Sequence, residues 1–101
     1  PAILFINEIY ENGADLEEFN RGVLKNLRRL LLIKTSPETE KLIKEELTEE
    51  ELSQLKKISK DFEIKNLEKL IEQFLHAKEQ LKSSPLPTLP LEIIILENAQ
   101  R

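Results

Sequence analysis

The sequence predicts an all-α fold, a compact bundle of about five helices, from three observations. Apolar residues recur at three- and four-residue spacing along nearly the whole chain, the period of a helix with one buried side. Only two Gly and five Pro occur in 101 residues, which leaves little material for the tight turns of a sheet. Hydrophobic residues make up 40% of the chain and charged residues 34%, enough apolar side chain for a small core and far from the composition of a disordered segment. One domain spanning residues 1–101 is expected. The chain has no Met and enters an apolar helical pattern at its first residue, so it is read as a piece of a larger protein.

A first helix is expected over 2–12, with Ala2, Phe5, Ile6 and Ile9 along one side. Gly13 follows where a left-handed cap belongs. Asp15 and Glu18 form a capping pair that opens a second helix over 16–34, with an inner stripe of Leu16, Phe19, Val23, Leu24, Leu27, Leu30 and Leu31. Ser36 as cap and Pro37 at the first helical position start a short helix over 37–46. Thr48 and Glu51 make a capping box for a helix over 49–60, carried by Leu52, Leu55 and Ile58. The period shifts phase between Lys60 and Ile64, which marks a kink or break.

The cleanest pattern follows over 63–83: Leu67, Leu70, Ile71, Phe74, Leu75, Lys78 and Leu81 fall on one face. Two closely spaced prolines, Pro85 and Pro87, stop that helix. The last element, 88–98, contains Ile93-Ile94-Ile95-Leu96, a run that would also suit a buried strand. A helix is expected because the chain offers no second strand to pair with it.

Composition excludes several kinds of chemistry. Without Cys there is no disulfide, thiolate nucleophile or zinc finger, and one His cannot build a multi-histidine metal site. A net charge of −4 argues against a domain that holds nucleic acid mainly by its phosphates. No apolar run approaches the ~20 residues of a membrane span, and no secretory signal pattern occurs, so a soluble intracellular protein is expected. Gly13 and Gly22 cannot form a phosphate loop, because neither precedes a Lys-Ser or Lys-Thr pair. His76 has no orienting carboxylate or nucleophile in any motif and is read as a surface residue. Glu45, Glu46, Glu49, Glu50 and Glu51 lack the alternating oxygens and mid-loop Gly of a calcium loop, and are read as a solvated helix start. Lys25, Arg28 and Arg29 form a small basic stripe of the kind usual on a wet helix face.

The informative feature is surplus apolar side chain. Each helical residue turns by ~100°, so four consecutive apolar residues point nearly all the way round. Leu30-Leu31-Leu32-Ile33 and Ile93-Ile94-Ile95-Leu96 both do this. An edge helix of a small bundle turns one side inward, and one central helix is the most that five helices accommodate. The remainder predicts an interaction surface. The expected contact residues are Leu32, Ile33, Ile94 and Ile95, with Arg28 and Arg29 as rim charges.

The closing stretch, Leu81 to Leu96, resembles the end of the collar domain of the gamma/tau subunit of bacterial DNA polymerase III. In that family a small-polar and proline segment leads into a Pro-Arg-Leu-x-Leu-Glu signature that opens an apolar helix. Pro87, Leu89, Leu91 and Glu92 match it, and Thr88 stands where the Arg is usual. The opening half is similar as well: a helix closed at Gly13, then Asp15 and Phe19, then a Leu-rich helix with Arg28 and Lys34 near its end. The likeness covers roughly 2–34 and 63–98.

The resemblance implies an oligomerisation domain, not a catalytic one. Its partners would be other clamp-loader subunits (gamma/tau copies, delta and delta-prime) and the subunits that link to single-strand-binding protein. Direct contact with nucleic acid or membrane is not expected, and the location implied is the bacterial cytoplasm. No cofactor is expected in this piece, whereas ATP and zinc would belong to the rest of the parent chain, a clamp-loader ATPase. Two other readings stand beside it: a free-standing helical adaptor that docks a peptide between helices, and nucleic-acid binding through Lys25, Arg28 and Arg29.

Overall fold

Residues 1–99 are described by the computed structural model. Six helices form among them, and no strand: α1 (Ala2–Glu11), α2 (Leu16–Thr35), α3 (Pro37–Lys44), α4 (Glu49–Ser59), α5 (Ile64–Ser83) and α6 (Leu89–Ala99). The phase shift between Lys60 and Ile64 is a full break, which makes six helices instead of about five. The isoleucine run is helical.

The local chemistry explains the punctuation. Gly13 has φ +89, the left-handed conformation that closes α1; the Ala14 amide donates to the Ile9 carbonyl at 2.9 Å and the Gly13 amide to the Tyr10 carbonyl at 3.0 Å. Asp15 Oδ1 accepts the Glu17 and Glu18 amides at 2.9 and 3.3 Å and so caps α2. Ser36 caps α3 through the Thr39 amide, with Pro37 in the first turn. Thr48 and Glu51 exchange hydrogen bonds at the start of α4, 2.9 Å and 3.1 Å long.

The described residues divide into two compact units, one made of 1–23 with 73–99 and the other of 24–72. In unit 1, α1 packs on α6. Ile6, Leu16, Ala77, Leu91 and Ile94 are buried there, together with one polar residue, Asn20. The Phe5 ring meets Phe19 with centroids 6.3 Å apart. In unit 2 the buried residues are Leu27, Leu30, Ile43, Leu52 and Leu67, with Ser59. Ile43 and Leu67 have no exposed surface at all.

Several periodic positions depart from the expected faces. Leu75 and Ile58 are exposed, as is much of Phe5, whereas Ala77 on α5 is buried. Periodicity locates a stripe to within a residue, and the neighbouring helix decides which edge of it is covered. No helix among the described residues is long and apolar enough to cross a membrane.

Candidate functional site

The surplus apolar residues divide in two ways. On α2, Leu30 is buried and Leu31, Leu32 and Ile33 are half-buried. None of the four is left in water. In unit 2 the Thr39 hydroxyl of α3 donates to the Leu32 carbonyl of α2. Leu32 and Ile33 are therefore not the open contact residues that the sequence suggested.

On α6 the outward face exists but lies elsewhere. Ile94 is 5% exposed and belongs to the core beside Leu91, and Ile95 is half-buried. Ile94 as an outward contact is thus corrected. The residues in solvent are Leu89 at 37%, Ile93 at 39% and Leu96 at 49%. Spaced four and three apart, they form one stripe along the helix, roughly opposite Leu91 and Ile94 at ~100° per residue. Leu89 and Ile93 also border an open groove of about 260 Å³ with Ser83, Ser84 and Pro85. The sequence contained this spacing, but a run of four apolar residues has no phase of its own, so the face was not readable.

The basic stripe divides as well. Lys25 and Arg28 are exposed. Arg29 is half-buried instead, its Nε 3.5 Å from Glu46 Oε1 in an ion pair and its Nη1 donating to Asn26 Oδ1 at 3.2 Å. It is spent inside unit 2 and is no rim charge. His76 is exposed, and Glu49, Glu50 and Glu51 stand in the solvated first turn of α4. The Thr48 amide, then the Thr48 hydroxyl, with Arg29 further off, hold the Glu51 carboxyl below its usual range.

Glu92 is held from two sides. Its Oε2 accepts Asn7 Nδ2 at 2.7 Å and the Thr88 hydroxyl at 3.2 Å. The carboxylate lies in the first turn of α6, where the helix dipole favours it, and it ties α1 to α6. Thr88, which replaces the Arg of the resembled signature, thus fastens this carboxylate with a hydroxyl.

Among the described residues no group of three His, Asp or Glu is placed to hold a metal. What the geometry offers is surface: an apolar stripe on a helix whose opposite side is core.

No curated protein and no solved structure matches the chain. The sequence pattern of one family does match, over residues 2–100, and its description is DNA polymerase III subunits gamma and tau domain III. With nearly its whole length matched, the chain belongs to the family of domain III of the DNA polymerase III gamma and tau subunits.

Proposed function

We propose that this domain holds clamp-loader subunits together, packing against its neighbours through the Leu89, Ile93 and Leu96 stripe of α6. The carrying observation is that α6 is apolar around its circumference while only one side of it is core. Membership of domain III of the gamma and tau subunits supports the reading, since that places the chain among replication proteins. The partners are further gamma/tau copies, delta and delta-prime, in the cytoplasm. The subunits that contact single-strand-binding protein attach to the same assembly.

Magnitudes limit what the stripe does alone. Full burial of such a side chain is worth about 1.5–3 kcal/mol, and less than half of each is still exposed. Three residues then supply a few kcal/mol, against roughly 8 kcal/mol for a micromolar pair. Stable assembly needs further surface, such as the half-buried Ile95 edge of the same helix. A ring, in which each subunit meets two neighbours, adds contacts in this way.

The test is size-exclusion chromatography with light scattering on the gamma/tau subunit mixed with delta and delta-prime. Ile93→Asp should abolish the complex while circular dichroism stays helical. Assembly by Ile93→Asp at the wild-type level would refute the stripe as the contact. A free-standing adaptor finds some support in a second groove of unit 1, about 330 Å³, lined in part by Tyr10, Leu16, Leu81 and Pro87. It predicts a chain that stays monomeric among those subunits even without substitution.

A further inference from the structure

We infer that unit 1 contains a register lock built from carboxamides, and that this lock sets which side of α6 meets solvent. The apolar core discriminates in one direction only. Turning α6 forward by one residue would bury Glu92 in place of Leu91, but turning it back puts Leu89, Pro90 and Ile93 where Pro90, Leu91 and Ile94 are buried, apolar for apolar. Cores of this kind keep their stability while losing a unique packing. A polar group that must meet its partner does distinguish the alternatives.

Such groups link all four helices of unit 1 in series. Asn20 Nδ2 on α2 donates to the Phe74 carbonyl of α5 at 3.0 Å. At the adjacent α5 position, Gln73 Oε1 accepts Asn98 Nδ2 of α6 at 2.9 Å. Gln73 Nε2 also donates to Glu97 Oε1 at 3.4 Å, and Asn98 Nδ2 reaches back to the Ile94 carbonyl at 2.8 Å. On the other flank of α6, Glu92 takes the Asn7 amide of α1. Asn98 projects on the side of Leu91 and Ile94, whereas Glu92 lies about a third of a turn from it, so α6 is gripped in two directions. A rotation of ~100° would break both grips at once.

Asn20, which fastens α2 to the helix that holds α6, is kept at a cost in stability. It is 1% exposed, and its Oδ1 has no hydrogen-bond partner. A buried orphan acceptor weakens the fold unless its position matters for another reason. Leucine, of similar size, would fill the same space without the orphan.

The chain has no cysteine, which makes thiol reporters unambiguous. Ile93→Cys and Ile94→Cys are made separately in the 101-residue chain and labelled with a small aromatic disulfide reagent, at concentrations where light scattering gives a monomer. The exposed thiol should react at least about tenfold faster than the buried one, which waits for local opening. Adding Gln73→Leu with Asn98→Leu should shrink that ratio to about threefold or less, with helicity and melting temperature kept or raised. Asn20→Leu alone should move the ratio the same way by a smaller amount, and it decides the matter if the double replacement unfolds. A ratio that stays at its original value, whether or not the melting temperature falls, would overturn the lock. The readout concerns α6 within one molecule, so its failure and a failure of subunit assembly are separate results.

Discussion

The two units are fastened by different chemistry. Between helices of unit 1, the side-chain donors among the described residues are all carboxamides: Asn7, Asn20, Gln73 and Asn98. In unit 2 the work falls mainly to cations. Lys34 Nζ donates to the Ser59 carbonyl at 3.0 Å, Arg29 pairs with Glu46 at 3.5 Å, and Lys56 pairs with Glu40 at 3.2 Å. An amide has fixed donor and acceptor directions and is indifferent to pH and nearly so to salt. An ammonium on a four-carbon stem reaches its partner from many positions and is screened by ions. Unit 1 therefore fixes geometry, and unit 2 tolerates small shifts. The apolar stripe proposed for assembly belongs to the unit in which direction is fixed.

The largest expected effects test whether the cores are equivalent beneath this difference. Ile43→Ala in unit 2 and Leu91→Ala in unit 1 each remove a fully covered side chain. Each should cost about 2–5 kcal/mol in chemical denaturation, since a cavity remains. A cost well under 1 kcal/mol at either site would show that one unit is loosely packed, and the comparison would then be about order instead of chemistry.

Smaller changes sharpen the contrast. Lys34→Met keeps the stem and removes the charged donor that caps the last turn of α4, for a loss of about 1–2 kcal/mol. Thr48→Ala opens the capping box at the other end of α4, for about 1 kcal/mol. The same cap gives unit 2 an acid sensitivity. Because Glu51 titrates lower in the folded chain than its ordinary 4.5, its contribution is complete above that value and is lost as pH falls through the lower folded one. Acid should thus fray the start of α4, seen as lost amide protection, relative to the unfolded chain, at Glu51 and Leu52, and Glu51→Gln should remove that step. The smallest effect belongs to the Lys56–Glu40 pair, whose lysine is exposed. Lys56→Ala should cost less than about 0.5 kcal/mol, and that little should vanish in high salt.

The helices were legible because their signals are local. Ser36-Pro37, Thr48 with Glu51, and Gly13 act within four residues of themselves, and each sits where the sequence placed it. The rotation of α6 was not legible. It depends on partners 24 to 85 positions away, Gln73 and Asn7, and on a run of isoleucines with no phase. Asn20 shows the same limit: as a polar residue between Phe19 and Arg21 it gives no sign of being buried. The surplus of apolar side chain could be counted from the sequence, and that pointed to α6. Which member of the surplus faces out, Ile93 and not Ile94, had to come from the packing.

One paired melting experiment tests the two-sided α6 most directly. Ile93→Asp puts a charge where there is already water, and Ile94→Asp forces an unpaired carboxylate into the core. Followed by circular dichroism at neutral pH, Ile93→Asp should melt within a few degrees of the parent chain, and Ile94→Asp should be largely unfolded or melt far lower. Equal melting of the two variants, or the greater loss in Ile93→Asp, would contradict the account.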